Sequence, residues 1–430
     1  MKWPNVLLRL IANVESGFGF PLDYQGEVDG EIPFYKVSDM NLSGNEVEMR
    51  CHNNSLDMNK LRELGARSFP PGTVIFPKIG AAIATEKKRI LTCPSTFDNN
   101  VMGVIPREGV VSKYLFYWFS SINLKDLANP GHVPSIRKAV IEELLIPLPP
   151  LSEQRRIVEI LDEVDRIRRL RKEGNQKAER IFPALFLKMF GRPFFDKTPE
   201  WRSTRLGNVL SVIRNGTTAA QNTDGRGYPV SRIETISDGT INPQKVRFVE
   251  LDDQEYDKWK LILGDILFSH INSESHIGKT ALYTSTPPLL VHGMNLLLLR
   301  PKQSEVVPEY LYSFLNMPEV RTAFRTCCKR AVNQASLNQR DIIDLEIQIP
   351  PLYFQKKFVE RFKIIQTVLC NQNVEAKKIE EIFSLLRMAA FSSELTAKWR
   401  EAHLKELLKE VEQQARLLNT TNSNPMEIFQ

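Results

Sequence analysis

Five cysteines, at 51, 93, 327, 328 and 370, are all this sequence offers, and none falls in a CxxC pair or a Cys/His zinc spacing. Neither a disulfide framework nor a structural metal is expected. The chain also lacks any apolar run of about eighteen residues, the length a membrane helix needs. The amino-terminal MKWPNVLLRL reaches Arg9 before a signal-peptide core is complete. A cytoplasmic, non-membrane protein is the expectation.

Catalytic signatures are equally short. GFGFPL (17–22) and GRGYPV (225–230) each lack the third glycine of a dinucleotide fingerprint, and HIGKT (276–280) has Ser273 where a phosphate loop needs its first glycine. An adenine methyltransferase holds its flipped base with an Asp/Asn-Pro-Pro-aromatic tetrad; here the Pro-Pro pairs are followed by Gly72, Leu151, Leu289 and Leu352. His52, His132, His270, His276, His292 and His403 are scattered, each better read as a surface or core histidine than as a ligand or base. A chain that is not an enzyme and binds no cofactor is expected.

What is present is ordinary in bulk and unusual in arrangement. With 430 residues, 42% hydrophobic and 25% charged, the chain has the make-up of a soluble protein of two or three domains. A net charge of +6 weakly favours a polyanionic partner. The arrangement is a duplication. IPLPPLSEQRRI (146–157) returns as IQIPPLYFQKKF (347–358), with Pro149 and Pro350 standing 201 residues apart. Trp3 answers Trp201, VESGF (14–18) answers IRNGT (213–217) as a hydrophobic stretch with a Gly turn, and PFYKVSDM (33–40) answers PVSRIETI (229–236). PGTVIFPKIG (71–80) answers LGDILFSHIN (263–272), NNVMGVIP (99–106) answers MNLLLLRP (294–301), and YLFYWFS (114–120) answers YLYSFLN (310–316). The chain is two copies of one module.

Short strand-like runs (VIF, VMGVI, ILF, LLLL), Gly/Pro/Asn punctuation and a few helical stretches give each module an α+β character. After each Pro-Pro a long helix begins. In the second copy Phe358, Phe362, Ile365, Leu369, Gln372, Ala376, Ile379, Phe383, Leu386 and Ala390 keep a strict 4,3 spacing, which is a heptad seam. The first copy gives Ile157, Leu161, Val164, Arg168, Arg171, Asn175, Ala178, Phe182, Leu185 and Met189, polar in its middle, with Pro183 marking a break. The helix at 352–390 would run roughly 57 Å and must pack on something as long, for which the other repeat's helix, antiparallel, is the economical choice. The expected fold class is therefore α+β, with two tandem-repeated globular domains separated by long antiparallel coiled-coil-like helices in a pseudo-two-fold dumbbell. Its parts are a first domain (1–150), a central helical spacer (151–196), a second domain (197–351), a distal helical spacer (352–396), and a carboxyl-terminal amphipathic helix and polar tail (397–430). Leu151, Ile157, Leu161, Val164, Leu352, Phe358, Phe362, Ile365, Leu369, Ile379, Phe383 and Leu386 are the candidates for helix pairing and partner docking.

Two similar modules on a spacer suit an extended target with two sites, and duplex DNA is such a target. Candidate contacts are polar or basic residues that interrupt the strand pattern: Lys36 and Arg232 at matched positions, Lys78 and His270 likewise, then Lys87, Lys88 and Arg89 of EKKR, Lys279, Asn99, Asn100 and Asn295. Arg and Lys suit guanine and Asn or Gln suits adenine in the major groove. Asn333, Gln334 and the matching His132 lie in loops before the helices. The run RIRRLRK (166–172), following DEVD (162–165), reads better as a salt-bridged helix face than as a phosphate track.

The tandem layout, the PLPPLSEQ and IPPLYFQ junctions, the heptad helices and SSELTAKWRE (392–401) resemble the DNA-specificity subunit of type I restriction–modification systems. That resemblance implies that each globular unit is a target-recognition domain for one half of a bipartite double-stranded DNA site. It also implies that the helices set the gap and dock two methyltransferase subunits, which use S-adenosylmethionine, with restriction/translocase subunits that use ATP and Mg joining them. The second copy departs at Tyr353-Phe354, where the first has Ser152-Glu153, which reads as loss of a helix N-cap. Apart from the resemblance, a helical adaptor that binds proteins and an RNA-binding or RNA-modifying protein remain open.

Overall fold

The computed structural model describes residues 3–237, 239–273, 276–331 and 334–420, so the polar tail beyond 420 and Asn333 lie outside the described residues. Two compact units divide the chain, one of Met1–Arg171 with Ala376–Gln430 and the other of Lys172–Glu375. Each unit joins one globular module to segments of both long helices.

In the first unit the order is β1 (Asn5–Leu7), α1 (Leu8–Ile11), β2 (Ala12–Ser16), β3 (Ile32–Tyr35), β4 (Glu48–Met49), β5 (Ser55–Leu56), α2 (Met58–Glu63), β6 (Val74–Pro77), β7 (Arg89–Leu91), β8 (Thr96–Phe97), β9 (Val101–Pro106), α3 (Ser112–Ser121), α4 (Lys138–Glu142) and β10 (Leu145–Pro147). A five-stranded sheet runs β2-β9-β6-β7-β4, a three-stranded one β5-β3-β8, and β1 pairs with β10. VIFP of β6 is buried at every position, as expected of a strand covered on both faces. Helix α3 buries six consecutive residues, Tyr114 to Phe119, so it is a core helix with little amphipathic character. Helices α5 (Leu151–Ala178) and α6 (Ile181–Phe190) follow.

The second module repeats the plan with β11 (Arg202–Arg205), β12 (Leu210–Asn215), β13 (Gln221–Asn222), β14 (Tyr228–Ser231), β15 (Arg247–Val249), α7 (Asp253–Trp259), β16 (Ile266–Phe268), β17 (Ile271–Asn272), β18 (Thr280–Leu282), β19 (Val291–His292), β20 (Leu297–Pro301), α8 (Pro308–Leu315), α9 (Pro318–Cys327), β21 (Lys329–Ala331), β22 (Gln334–Ser336), α10 (Gln339–Ile343) and β23 (Glu346–Ile349). Helices α11 (Leu352–Phe391), α12 (Ala397–Ala402) and α13 (Leu404–Thr420) close the chain. Register shows the duplication directly. Val74 faces Val104 and Ile90, as Ile266 faces Leu299 and Leu282. The parallel pair β3–β8 returns as β14–β19. VESGF and IRNGT hold matching glycines for a reason other than a turn: a Cβ on Gly17 would stand 2.0 Å from the Asp98 carbonyl oxygen, and one on Gly216 2.1 Å from that of His292. Close backbone approach demands glycine at both.

The repeated junction phrase closes each module through one buried amide. Gln154 accepts from the Val111 N–H at 2.8 Å and donates to the carbonyls of Gly109 at 3.1 Å and Pro149 at 2.9 Å. Gln355 accepts from Val307 N–H at 2.8 Å and donates to Glu305 at 3.2 Å and Pro350 at 2.7 Å. Beside it, the Tyr114 hydroxyl donates to Pro147 and the Tyr310 hydroxyl to Gln348.

Every 4,3 seam position from Phe358 to Ala390, and every one from Ile157 to Met189, is buried or half-buried. In the first unit Ile157, Leu161 and Val164 share a core with Phe383, Leu386 and Ala390, and Arg168 bonds Glu380 at 2.9 Å while its guanidinium lies 4.4 Å over the Phe383 ring. In the second, Phe182 meets Phe362 at 4.5 Å and Phe190 meets Phe358 at 5.3 Å. Rising numbers on one helix meet falling numbers on the other, so both pairings are antiparallel. Leu151, Leu352, Ile365, Leu369 and Ile379 are half-buried. The break tied to Pro183 falls just before it, between Ala178 and Ile181; the proline then occupies the first turn of α6, where its missing N–H has no partner to lose.

Ser152 is not a helix N-cap. It lies inside the first turn of α5, and its N–H and hydroxyl both donate to Glu410 of α13 at 2.9 Å. Next to it Glu153, fully buried, accepts from Trp3 Nε1 at 2.8 Å, Thr396 Oγ1 at 2.6 Å and Arg400 Nε at 2.7 Å. The carboxyl-terminal segment SSELTAKWRE is thereby fastened to the first module.

Replacing Gln154 with leucine would leave the Val111 N–H and the Gly109 carbonyl without a partner and the Pro149 carbonyl with Gln414 alone, a loss of about 2–4 kcal/mol, and Gln355→Leu would cost its unit a similar amount. Denaturant unfolding followed by tryptophan fluorescence checks both. His292 is buried with Nδ1 against the Trp259 carbonyl at 3.1 Å, and burial lowers its pKa to about 4, opposed by that bond and aided by the Arg214 charge. Its native form binds fewer protons than the unfolded one, so its contribution is intact above pH 6.5 and falls away as the pH drops toward 4, by about 3 kcal/mol in all. Unfolding of His292→Asn against wild type between pH 7 and pH 4 should show a shallower pH dependence in the variant.

Candidate nucleic-acid interface

The loops at one end of the first module's sheet gather several of the candidate residues. Lys78 follows β6: its N–H donates to the Asn100 carbonyl at 2.8 Å, its carbonyl accepts from Ile136 N–H at 2.9 Å, and its ammonium reaches Ser16 Oγ at 2.8 Å. Burial holds its pKa below the ordinary lysine value, opposed by the charge of Asp98. Asp98 is itself buried and accepts from Asn100 through both oxygens, N–H at 3.0 Å and Nδ2 at 3.3 Å. Burial pushes its carboxyl up, against the Asn100 bonds and the Lys36 charge. Lys36 donates to Gln25 Oε1 at 3.0 Å, and its N–H is held by Asp39 at 2.6 Å. Asn99 stands exposed at the tip. His132 is exposed on the adjoining loop, which is tied to this end by the Gly80 N–H bond to Pro134 and the pairing of Ile79 with Ser135.

The EKKR run does not join them. Lys88 is only 5% exposed and donates to Glu86 at 2.6 Å and to the Ile122 carbonyl at 3.1 Å. Arg89 donates to the carbonyls of Lys88 and Met40. The Lys88 ammonium and both terminal nitrogens of Arg89 are thus engaged within the module, while Lys87 is half-buried. RIRRLRK is a salt-bridged face, with Arg166 on Glu163 and both Arg168 and Arg169 on Asp165.

In the second module Arg232 follows β14 and pairs with Glu234 at 3.1 Å. His270 occupies the place of Lys78, its carbonyl accepting from Leu337 N–H at 2.8 Å as that of Lys78 accepts from Ile136. Its ring is buried, which lowers its pKa, and Nδ1 meets no partner among the described residues. Lys279 donates to the Ser237 carbonyl at 2.6 Å and lines a cavity of about 390 Å³ with Glu234, Lys245, Asn272 and His276. His276 is held below the usual imidazole value by burial and by the charges of Lys279 and Arg321. Asn295 is exposed at the tip that matches Asn99–Asn100, and Gln334 lies on β22. The sequence reading passed over Asp98, Glu234, Lys245 and Asn272; the repeat alignment held a signal for none of them, because their positions depend on loop folding.

The long helices also carry apolar side chains off the seam. Ile364 is 67% exposed, Leu385 64% and Met388 69%, with Val368, Val374 and Ile382 about half-exposed. Seam residues therefore pair helices, and the outward set was invisible to the heptad count. Among the described residues no three His, Cys, Asp or Glu side chains gather that could hold a metal ion. No helix among them is long and apolar enough to cross a membrane.

Residues 2–180 and 199–386 match the family described as the type I restriction modification DNA specificity domain. The chain is 47% identical over 183 residues to a putative type I restriction enzyme MjaX specificity subunit of Methanocaldococcus jannaschii, covering 41% of this chain and 43% of that one. It is 28% identical over 298 residues to the type I restriction enzyme EcoKI specificity subunit of Escherichia coli K12, covering 64% of this chain and 63% of that one. These alignments thus span from under half to just under two thirds of the relatives' length. Among solved structures, a chain from work on complex assembly and conformational transition of the type I R-M system shares the fold at TM-score 0.55 and 17% identity, over 92% of this chain and 98% of that one. The type I restriction-modification S subunit from M. genitalium does so at TM-score 0.52 and 12% identity, over 90% of this chain and 96% of that one. With both halves of its duplication matched, the chain belongs to the type I restriction modification DNA specificity domain family.

Proposed function

We propose that the chain is the DNA-specificity subunit of a type I restriction–modification complex. Each module reads one half of a bipartite duplex target, and the helical segments set the interval and dock two methyltransferase subunits. The observation that carries this reading is the duplicated frame with unlike loop ends: Lys36, Lys78, Asn99, Asn100 and His132 in the first module, Arg232, His270, Lys279, Asn295 and the region of Asn333 and Gln334 in the second. A frame held constant while its tips differ is what a reader of two different half-sites requires. Lys87 contributes charge at the rim, whereas Lys88 and Arg89 support β7 from within.

The chain supplies no catalysis of its own and acts in the cytoplasm. S-adenosylmethionine belongs to the methyltransferase partners, and ATP and Mg to the restriction/translocase subunits. Exposed apolar side chains on the first unit's part of α11, Leu385 and Met388, are candidates for contact with those partners.

Exchanging residues 1–150 for those of a relative should change one half of the methylated sequence and leave the other, as read by mapping methylated adenines in a host genome. Both halves changing together would sink the modular reading. Four residues inserted after Asn175 should add about 6 Å of helix in the stutter a heptad pairing absorbs best. Against about 3.4 Å and about 35° per base pair, that length allows one or two extra pairs and the added rotation of about 40° beyond a full turn favours one, so the non-specific gap should grow by one base pair with both half-sites kept. An unchanged gap would show that the helices do not set the interval.

A further inference from the structure

The frame contains one turn that the two modules build identically and fill differently. Strand β8 enters β9 through Asp98–Asn99–Asn100–Val101, closed by Val101 N–H on the Asp98 carbonyl at 3.1 Å. Strand β19 enters β20 through Gly293–Met294–Asn295–Leu296, closed by Leu296 N–H on the Gly293 carbonyl at 3.2 Å. The flanks coincide as well: Phe18 bridges Asp98 as Thr217 bridges Gly293, and the close-approach glycines Gly17 and Gly216 stand beside them. None of the four central residues has a positive φ, so the backbone places no demand on their identity. The second central residue is asparagine in both. The first is Asn99 in one and Met294 in the other, and both are exposed.

Met294 is an apolar side chain left 48% exposed at this turn. Asn295 follows it, the Gln221 amide lies 3.5 Å from where a Cβ on Gly293 would be, and Gln339 donates to the exposed Asn215 at 3.4 Å. Met294 belongs to none of the hydrophobic clusters of its module, so an unbranched thioether at this exposed turn has no packing role among them. In the major groove, an asparagine amide matches the N6/N7 edge of adenine, whereas an apolar side chain has one specific partner, the 5-methyl group of thymine.

We propose that this first turn residue is a base-reading position in both modules: Met294 packs on a thymine methyl in the second half-site, and Asn99 takes an adenine in the first. The proposal rests on the DNA-reading function and names how two matched positions divide it.

The test uses the full chain in complex with its methyltransferase subunits, on the target read from host methylation. Deoxyuridine replaces each thymidine of the second half-site in turn, which removes only the methyl. One replacement should weaken wild-type binding about fourfold, the worth of one buried apolar carbon, and should leave a Met294→Ala complex indifferent. Asn99→Met should relax one adenine of the first half-site and alter nothing in the second. Equal binding of every uracil and thymine duplex, a Met294→Ala complex that responds as wild type does, or a second half-site without any A·T pair would overturn the assignment while leaving DNA recognition intact. A wild-type complex that binds no duplex would overturn the DNA-reading function with it.

Discussion

One carboxamide per module holds the design together. Gln154 and Gln355 each sit at the start of a long helix, buried, and bridge the strand-to-helix loop of the module to the Pro-Pro junction. An amide both donates and accepts, so it serves an N–H and two carbonyls at once, and glutamate or leucine in its place could not. Because the bonds run to backbone, the helix leaves each module in a direction fixed by main-chain geometry rather than by exposed side chains. The seam residues then fall on the face they must present, and the tips at the far end of the sheet are free to differ.

Much of this was legible. The junction phrase, the spacing from Phe358 to Ala390 and the alignment of Lys78 with His270 all survive in the structure as matched bonds, a buried seam and equivalent strand ends. These features are periodic or repeated, and periodicity is what a chain cannot hide. The site was less readable. EKKR offered three candidate DNA contacts, but Lys88 is turned inward by the Ile122 carbonyl and Glu86, which nothing in the local sequence signals. Asp98, which no motif singles out, proves to be a buried anchor for Asn100. Ser152 looked like a cap, whereas the group that satisfies the helix start is Glu410, 258 residues away. Local pattern carries backbone conformation; it does not carry long-range pairing of single polar groups.

The two modules also show how a duplication diverges. Strand order, register and the close-approach glycines are kept, because each is enforced by backbone contact that tolerates no Cβ or register slip. Ser152-Glu153 became Tyr353-Phe354 where no carboxyl-terminal segment needs holding, and Phe354 lies 6.4 Å from Trp201 in place of a charge network around Trp3. Identity is preserved where the main chain dictates it and released where a side chain answers only to a neighbour.

The buried ion pair of Glu153 and Arg400 has a consequence in time. The two residues are 247 positions apart, which at roughly 5–20 residues per second of synthesis is a wait of about 12–50 s. Until Arg400 emerges, closing the first unit would bury a carboxylate without its guanidinium, at a penalty of several kcal/mol. The second unit, continuous from Lys172 to Glu375, meets no such delay. The module made first is thus the one completed last, and a polypeptide cut short by a premature stop keeps an unfinished amino-terminal half, open to the proteases that clear incomplete chains.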